Sequence, residues 1–254
     1  MTIEKIKKIN KGLVSHIELV ANEMFLIKIK AAPEFVSKAG QFISILCGNH
    51  TMRRPFSIMN FENGEISVLF KKKGDGTAYI SSLKVGDTVE FLGALGNGFD
   101  CVKHERILLV GAGVGVAPVY YLKKFLGGHN KLIAGFQNER EIPSCLKSEI
   151  DFVTTDDGSG SVDGQGSILE YLEEQILQYK PERICVCGPH IVLNLVSQMA
   201  KKYGIVCEVA MEKTMACSIG VCRGCVIRVV KNGVEQNASV CKDGPVFYGE
   251  EVVW

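Results

Sequence analysis

Short runs of alternating apolar and polar residues, separated by turn residues, fill the first hundred positions of the chain. The runs lie at 16–29, 41–46, 57–60, 66–70 and 88–92. Asn63-Gly64, between two of them, is a strong signal for a two-residue hairpin turn. Many short strands joined by turns are typical of a small antiparallel barrel, and a short helix at about 77–83 is the expected exception. We therefore predict an antiparallel β-barrel over residues 1–101.

The pattern changes after residue 102 to alternating strands and helices. Apolar runs predict strands at 106–110, 131–136, 152–155, 183–186 and 207–210, the last of which is expected to be the last strand of this domain. Continuous apolar runs are typical of parallel strands that are buried on both faces. One helix is expected after the glycine-rich turn at 111–118, ending at about residue 124, and a second over 168–179. Ser167 with Glu170 forms a capping box at the start of the second helix. Residues 102–208 are thus predicted to be an α/β nucleotide-binding domain.

The remaining residues, 209–254, are too few for an independent core. They hold a strand candidate at 225–230, followed by the hairpin signal Asn232-Gly233. A module below about 50 residues rarely folds without a disulfide, a metal or another staple. The predicted fold class is therefore an α+β multidomain chain with a barrel, an α/β domain and a small C-terminal module.

Four cysteines in this last module form the most specific pattern of the chain. Three of them follow the spacing C-x4-C-x2-C, and the fourth comes after fifteen further residues: Cys217, Cys222, Cys225 and Cys241. The spacing of the first three matches the run that holds a plant-type [2Fe–2S] cluster. Gly220 and Gly224 suit a loop that wraps a cluster, because tight loops need positive φ angles and close backbone approach. Backbone N–H groups of such a loop can also point at the sulfurs.

Two other interpretations of these cysteines stay open. Zinc usually takes paired C-x2-C knuckles, whereas here one end is C-x4-C and the fourth cysteine stands alone. Disulfides are typical of oxidising compartments, and nothing else in the chain suggests secretion. The other cysteines are scattered, as is usual for small buried apolar side chains. They are Cys47, Cys101, Cys145, Cys185, Cys187 and Cys207.

Two stretches of the predicted barrel could hold a flavin. The first, R-R-P-F-S at 53–57, resembles the R-x-[YF]-S flavin signature of the ferredoxin reductase superfamily. The guanidinium of Arg54 can clamp a pyrophosphate, the ring of Phe56 can stack on a flavin, and the Ser57 hydroxyl can bond the edge of the flavin ring. The second, K-K-K-G-D-G-T at 71–77, opens the expected short helix, whose exposed N–H groups could bind phosphate. The alternatives are an edge strand with solvated arginines and a charged turn.

Three loops of the predicted α/β domain could hold a dinucleotide. The glycine-rich turn at 111–118 follows a strand and precedes a helix, which is the context of a pyrophosphate site. Val116 stands where the third glycine of G-x-G-x-x-G would be, but the turn resembles the G-x-G-x-G-x-x-P form of the ferredoxin reductase superfamily. The segments T-D-D-G-S at 155–159 and C-G-P at 187–189 resemble the parts of that superfamily that lie near the nicotinamide. Taken alone they are a polar turn and a packed thiol.

Composition and charge exclude several other classes of function. The chain of 254 residues is 46% hydrophobic and 22% charged, which is ordinary for a globular protein. Its net charge of +1 gives no basic field for nucleic acid. The most apolar stretch, 107–122, is shorter than the roughly 20 residues of a membrane span, and residues 1–5 show no signal peptide. We expect a cytoplasmic protein with neither a nucleic-acid nor a membrane partner.

The whole chain resembles the electron-transfer subunits of two-component, NAD-linked (class 1B) dihydroorotate dehydrogenases, within the ferredoxin reductase superfamily. The most specific segments are 215–225 and 240–247. The resemblance implies FAD in the barrel, NAD on the α/β domain and one [2Fe–2S] cluster in the last module. It also implies an FMN-containing catalytic subunit as partner in a heterotetramer of pyrimidine biosynthesis. Electrons would pass from that FMN through the cluster and FAD to NAD+.

The resulting site prediction contains cofactor-binding residues and cluster ligands but no catalytic residue, because no Ser/His/Asp or paired-carboxylate constellation is present. Two alternative functions stay open. One is the NAD-binding flavin subunit of a bifurcating ferredoxin reductase or sulfide dehydrogenase, and the other is a zinc-stapled nucleotide-binding module without enzymatic activity. The predicted cofactor-binding residues are Arg54, Pro55, Phe56, Ser57, Phe70, Lys71, Lys72, Gly76, Thr77, Gly111, Gly113, Gly115, Pro118, Asp157, Cys187, Gly188 and Pro189. The predicted cluster ligands are Cys217, Cys222, Cys225 and Cys241.

Overall fold

The computed structural model describes residues 9–101, 105–128 and 130–254. Its first part consists of β1 (Ile9–Ala21), β2 (Met24–Lys30), β3 (Phe42–Ile45), β4 (Arg54–Ser57), β5 (Asn60–Glu62), β6 (Glu65–Lys71), α1 (Asp75–Ser81) and β7 (Thr88–Leu95). The strands form one sheet in the order β4-β3-β7-β1-β2-β6-β5, and every neighbouring pair is antiparallel.

The two ends of this sheet come together around a common core. Phe56 on the edge strand β4 contacts Phe70 on β6, with ring centroids 5.5 Å apart. Phe70 also stacks on Phe25 of β2 at 5.7 Å. Because β4 and β6 lie near opposite ends of the strand order, this contact requires the sheet to curl back on itself. The antiparallel barrel predicted from the alternation is thus observed.

The turns of the barrel follow the sequence signals only in part. Asn63 and Gly64 both have positive φ angles (52° and 76°), as a type I′ hairpin turn requires. Residues 16–29, predicted as one strand run, belong instead to the hairpin of β1 and β2, which turns where Glu23 has a φ of 55°. No glycine or proline marks that turn, so the pattern does not reveal it. Helix α1 begins two residues before the predicted Thr77.

The second part of the chain is a parallel sheet covered by helices. It consists of β8 (Ile107–Ala112), α2 (Val116–Leu126), β9 (Lys131–Phe136), β10 (Phe152–Thr155), β11 (Gly164–Gln165), α3 (Ile168–Tyr179), β12 (Arg183–Cys187), α4 (His190–Lys202) and β13 (Val206–Ala210). The parallel strands lie in the order β11-β10-β9-β8-β12-β13. The predicted capping box is present, since Ser167 accepts from the Leu169 amide at 3.3 Å and Glu170 accepts from the Ser167 amide at 3.0 Å.

The last part of the chain adds a strand to this sheet. It contains β14 (Val226–Lys231), β15 (Val234–Ser239), the short helix α5 (Val240–Asp243) and β16 (Val246–Tyr248). β14 and β15 form the predicted hairpin, with positive φ angles at Asn232 and Gly233. β16 pairs antiparallel with β13, so the sheet continues by one strand beyond the last strand predicted for the α/β domain. A strand of three residues is too short to show a period, and it covers a sheet edge that would otherwise be open.

The predicted division of the chain at 101/102 and 208/209 stays a prediction. Strand β13 spans the second of these boundaries. Residues 1–5, where no signal peptide is expected, lie outside the described residues. Among the residues that are described, no helix combines the length and the apolar character needed to cross a membrane.

Candidate functional site

The loop that carries the first three cluster cysteines is held in a tight, irregular conformation. Ser218, Gly220 and Arg223 have positive φ angles of 61°, 85° and 56°. Gly220 therefore has the positive φ angle expected of a loop that wraps a cluster. Gly224 does not, and the positive φ angle occurs instead at its neighbour Arg223. The hydroxyl of Ser218 is buried and lies 2.9 Å from the Ser44 hydroxyl on β3. This bond anchors the loop to the barrel.

Backbone N–H groups point at the cysteine sulfurs, as predicted for a cluster-binding loop. Gly220 donates to the sulfur of Cys241 at 3.1 Å, and Cys222 donates to that of Cys217 at 3.3 Å. Gly224 donates to Cys222, and Cys241 donates to Cys225, each at 3.4 Å. Such donors stabilise negative charge on thiolates, which is the form that binds metal.

The sulfurs fall into two pairs rather than one tetrahedral group. The Cys222 amide and side chain lower the pKa of Cys217, and the Cys225 side chain raises the pKa of Cys241. Among the described residues, no three of these four sulfurs lie within 4.8 Å of one another. A zinc ion would hold all four at about 2.3 Å, and therefore within about 3.8 Å of each other. A two-iron cluster takes two thiolates on each iron, so the donor set fits an iron–sulfur cluster better than zinc.

The two pairs also differ in their electrostatic surroundings. Burial raises the pKa of Cys217, but the amides of Cys222 and Ile219 outweigh burial and bring it down to about 6. Burial, followed by the neighbouring Cys225 thiol, raises the pKa of Cys241 to about 12. Cys217 is thus the more readily deprotonated of these two thiols, and Cys241 needs a bound cation to become thiolate.

A cleft of about 610 Å³ lies where the barrel, the α/β sheet and the C-terminal module meet. The barrel contributes the predicted residues Pro55, Phe56, Ser57, Phe70 and Lys71 to its wall. The α/β sheet contributes Gly115 and Cys187, and the start of the cluster loop contributes Met211 to Met215. Aromatic rings on one side and lysines on the other match the needs of a flavin, which presents a flat ring and a charged tail.

Arg54 lies outside this wall but against the start of α1. A Cβ added at Gly76 would lie 2.8 Å from the Arg54 Nε atom, so only glycine allows the guanidinium to approach the helix so closely. The hydroxyl of Thr77 accepts from the amides of Lys73 and Gly74 at 2.9 and 3.1 Å. The structure therefore brings together Arg54, Gly76 and Thr77, the residues predicted to hold a flavin pyrophosphate.

A second pocket, of about 310 Å³, opens at the carboxyl ends of the parallel strands. The predicted residues Gly113, Gly115, Gly188 and Pro189 line it. This is the position at which open α/β sheets bind ligands. The pocket adjoins the flavin cleft, because the two share wall residues. The shared residues are Lys71, Lys73, Val114, Gly115 and Glu212.

Gly115 is the tightest point between the two pockets. A Cβ added there would lie 2.4 Å from the Cys187 carbonyl oxygen and 2.8 Å from the Gly188 amide nitrogen. Both neighbours are backbone atoms, which cannot move aside as a side chain can. Gly111 is tight for a different reason, because a Cβ there would lie 2.7 Å from the Cα of Val116 at the start of α2.

Replacing Gly115 with alanine is expected to weaken the binding of NADH and to lower the melting temperature. Overpacking of this kind costs about 1–3 kcal/mol, and each kcal/mol lowers Tm by about 2–4 °C in a chain of this size. Titration of NADH by calorimetry and thermal unfolding check both effects. Unchanged affinity together with unchanged Tm would contradict the observed contact between the Gly115 turn and the C-G-P loop.

The Cys187 thiol stays neutral at the meeting point of the two pockets. Its side chain is 2% exposed, and burial, reinforced by the negative charge of Glu212, raises its pKa well above the ordinary value. Burial also raises the pKa of the Glu212 carboxyl, against which the charge of Lys73 acts. Cys187 therefore adds no charge to the wall between flavin and nucleotide.

Several predicted residues lie away from both pockets. Lys72 pairs with Glu23 at 3.2 Å, and Pro118 is buried in the first turn of α2. Asp157 is exposed and accepts from the hydroxyl and the amide of Ser159, which hold the pKa of its carboxyl below the ordinary range. Its neighbour Asp156 lines the nucleotide pocket instead. His190, directly after the C-G-P segment, is the first residue of α4.

The residues that sequence reasoning missed come mainly from the C-terminal module and the strand before it. Met211, Thr214, Met215 and Pro245 line the flavin cleft, although none was predicted to contact a cofactor. Met215 and Pro245 lie within the two segments that carry the family resemblance. That resemblance was the available signal, but it did not reveal which cofactor these side chains face.

Comparison with known proteins agrees with this arrangement. Residues 212–253 match the family described as "Iron-sulfur cluster binding domain of dihydroorotate dehydrogenase B". The "Dihydroorotate dehydrogenase B (NAD(+)), electron transfer subunit" of Caldanaerobacter subterraneus is 36% identical over 217 residues, covering 85% of this chain and 87% of the relative. The subunit of the same name from Clostridium perfringens is 34% identical and covers 95% of this chain and 97% of the relative.

A solved structure shows the same arrangement of elements. The NADH-dependent reduced ferredoxin-NADP oxidoreductase, a protein of flavin-based electron bifurcation, superposes with a TM-score of 0.82 at 26% identity. The match covers 96% of this chain and 90% of the other. The identity to the curated relatives is higher and extends over most of the chain. This chain therefore belongs to the family of dihydroorotate dehydrogenase B electron transfer subunits.

Proposed function

We propose that this chain passes electrons between a dihydroorotate-oxidising catalytic subunit and NAD+ in pyrimidine biosynthesis. The observation that carries the proposal is that the nucleotide pocket, the flavin cleft and the cluster loop lie next to one another. Gly115 and Glu212 line both the nucleotide pocket and the flavin cleft, and the residues up to Met215, two positions before Cys217, line that cleft. A path between nicotinamide and a cluster thus runs through one flavin-sized space.

The cofactors of the chain are FAD, an iron–sulfur cluster and NAD. A bound flavin supplies the exchange between two-electron hydride transfer and one-electron transfer. The chain's own residues hold and separate the groups. Phe56, Phe70 and Ser57 would face the flavin ring, Arg54 and Gly76 its pyrophosphate, and the C-G-P loop at 187–189 the nicotinamide. The four cysteines would hold the cluster as [2Fe–2S].

The partner is a catalytic subunit that holds FMN, and we infer a heterotetramer of two copies of each chain. The surface beside the cluster loop supports this partner. Val221 is 76% exposed, and Ile219 and the Cys222 thiol are also exposed. Apolar exposure next to a cluster is expected where another chain must come close enough to exchange electrons.

We infer a cytoplasmic location from the state of the cysteines. None of the ten is paired in a disulfide, and four of them serve as a donor set that requires thiolates. Reducing compartments keep such thiols available. Ten reduced cysteines in a chain of this size would be hard to maintain in a secreted protein.

A bifurcating flavin subunit is the second candidate function, because that class supplied the structural match described above. The identity of 34–36% to dihydroorotate dehydrogenase B subunits, against 26% to that structure, favours the first function. The test is the behaviour of the purified chain. We expect bound FAD, iron with acid-labile sulfide, no zinc, and bleaching of the flavin absorption by NADH. Zinc without a visible spectrum would overturn the electron-transfer function.

We expect NADH to be preferred over NADPH by about tenfold or more, which corresponds to one repulsive contact of about 1.4 kcal/mol. Glu139 follows β9, and its carboxylate could accept from a ribose hydroxyl and repel a 2′-phosphate. Arg140 is its exposed neighbour and could act in the opposite sense. Steady-state kinetics with both nucleotides measure the preference. Glu139→Gln should reduce it and Arg140→Gln should raise it, whereas equal efficiency of the unmodified chain with both nucleotides would refute it.

A further inference from the structure

Two cysteines outside the cofactor sites lie in direct contact. Cys101 follows β7 on the way to β8, and Cys185 lies in β12, the strand beside β8 in the parallel sheet. Their sulfur atoms are 3.3 Å apart, although the two residues are 84 positions apart in sequence. Cys185 is fully buried, whereas Cys101 is partly exposed. The pair therefore joins an accessible thiol to an inaccessible one.

A buried carboxylate completes the group. Glu208 is 1% exposed, and its Oε1 atom accepts from the Cys101 thiol at 3.5 Å and from Arg183 Nη1 at 2.8 Å. Its Oε2 atom accepts from the Asp100 amide at 2.8 Å. Arg183 bonds Glu105 with its other nitrogens at 2.7 and 3.2 Å. A fixed carboxylate therefore holds the Cys101 thiol in place by a hydrogen bond.

The pair is also reachable from solvent. Glu208 and Asp100 line a cleft of about 610 Å³ on the side of the molecule where β16 covers the sheet. Phe99 and Tyr248 line the same cleft. Cys101 is not part of this wall, but it is partly exposed and contacts Glu208, so a small oxidant can reach it, whereas Cys185 is fully buried.

We propose that Cys101 and Cys185 form a redox-active thiol pair, which hydrogen peroxide oxidises to a disulfide. The proposal goes beyond the electron-transfer function and does not depend on it. Disulfides of reducing compartments are usually transient or redox-sensing, and a thiol that is accessible beside a resolving cysteine is the arrangement that sensors use.

The reaction balances in two steps. The Cys101 thiol gives its proton to solvent, and the thiolate attacks one oxygen of the peroxide, breaks the O–O bond and becomes a sulfenic acid, while the other oxygen leaves as water after receiving a proton from solvent. The Cys185 thiol then attacks the Cys101 sulfur, forms the S–S bond and releases the second water. Two thiols are oxidised and one peroxide is reduced. A disulfide bond of about 2.05 Å requires the sulfurs to approach by about 1.2 Å, which Cys101 can supply because it lies outside any strand.

A bound metal ion is the competing interpretation, because the ligand atoms of Cys101, Cys185 and Glu208 all lie within 4.8 Å of one another. The guanidinium of Arg183 argues against it. It already occupies Glu208 Oε1, and the other oxygen holds the Asp100 amide. A cation placed among these atoms would lose both carboxylate oxygens to existing donors and would be repelled by the arginine.

The test is peroxide treatment of the purified holoprotein, followed by alkylation of the remaining thiols in denaturant and mass spectrometry of an unreduced digest. We expect a cross-linked peptide of Cys101 and Cys185 that has lost two hydrogens, in more than half of the chains, while the visible absorption of the cluster is retained. Dithiothreitol should restore both thiols. Cys145→Ser, a matched control at another partly buried cysteine, should leave the cross-link intact.

Cys101→Ser should abolish the cross-link, and Cys185→Ala should leave Cys101 as a sulfenic acid that dimedone captures. Three results would overturn the proposal. The first is full alkylation of both cysteines after peroxide has oxidised other residues. The second is a cross-link that appears only once the cluster absorption is lost. The third is one zinc ion per chain in the purified protein that disappears in Cys101→Ser.

Discussion

Replacing Cys225 with serine is expected to abolish the dihydroorotate-dependent reduction of NAD+ and to leave the reduction of bound FAD by NADH intact. Cys225 is 1% exposed, and its sulfur accepts from the Cys241 amide at 3.4 Å. It belongs to the buried pair of cluster sulfurs. A serine oxygen is a harder ligand than a thiolate, and iron–sulfur clusters favour soft thiolates.

The two reactions respond differently because the residues that bind NADH and FAD are separate from those that hold the cluster. The nucleotide pocket and the flavin cleft are lined by the barrel and the parallel sheet together with residues 211–215 and Pro245, and Cys225 is not part of either wall. The loss of electron transfer to the partner should therefore be nearly complete, while the rate of FAD reduction changes little.

Rapid mixing with NADH measures the reduction of bound FAD. The steady-state assay in the complex with the catalytic subunit measures the dihydroorotate-dependent reduction of NAD+. Cys207→Ser is a suitable control, because Cys207 is a buried cysteine outside the cluster set. Wild-type turnover in a Cys225→Ser protein that demonstrably lacks the cluster would refute the role of the cluster in electron transfer. If Cys225→Ser does not yield soluble protein, Cys222→Ser replaces it in the test. Cys222 is an exposed ligand, and the same result is expected for its variant.

Replacing Arg54 with alanine is expected to yield protein with little FAD and a normal content of iron. A charge-assisted bond to a phosphate is worth on the order of 2 kcal/mol, so the affinity for FAD should fall about 30-fold. The side chain lies against Gly76 at the start of α1, where the flavin pyrophosphate is predicted to bind. Flavin and iron assays of the same preparation measure the effect.

The neighbouring arginine is the control for this experiment. Arg53 forms an ion pair with Glu90 and donates to the Glu90 carbonyl oxygen at 3.4 Å, so it is already engaged within the barrel. Arg53→Ala should therefore retain FAD, at some cost in stability. Normal flavin content in Arg54→Ala, or equal losses in both variants, would contradict the assignment of the pyrophosphate to Arg54.

The parts of the site that sequence could predict are those that depend on local geometry. The spacing of the cluster cysteines fixes which backbone amides can reach which sulfur, and four such bonds are observed. The glycine-rich turn was predictable because a strand that runs into a helix through Gly111, Gly113 and Gly115 leaves few alternatives. The capping box at Ser167 specifies the start of α3 for the same reason.

The parts that sequence could not predict depend on contacts between distant segments. β16 joins the parallel sheet through pairing with β13, and Pro245 reaches the flavin cleft beside it. The contact of Cys101 with Cys185 likewise arises only when the segment after β7 folds onto β12. The hairpin of β1 and β2 turns at Glu23, a residue that rarely adopts a positive φ. Neither periodicity nor turn propensity carries this information.

Reconstitution with the FMN-containing catalytic subunit tests the central claim most directly. The measurement is the rate of NADH formation from dihydroorotate and NAD+, with each subunit alone and with both together. We predict NADH formation only when both subunits are present, in a complex that co-purifies. Equal rates without this chain, or no rate with it despite full FAD and cluster content, would contradict its function as the electron transfer subunit.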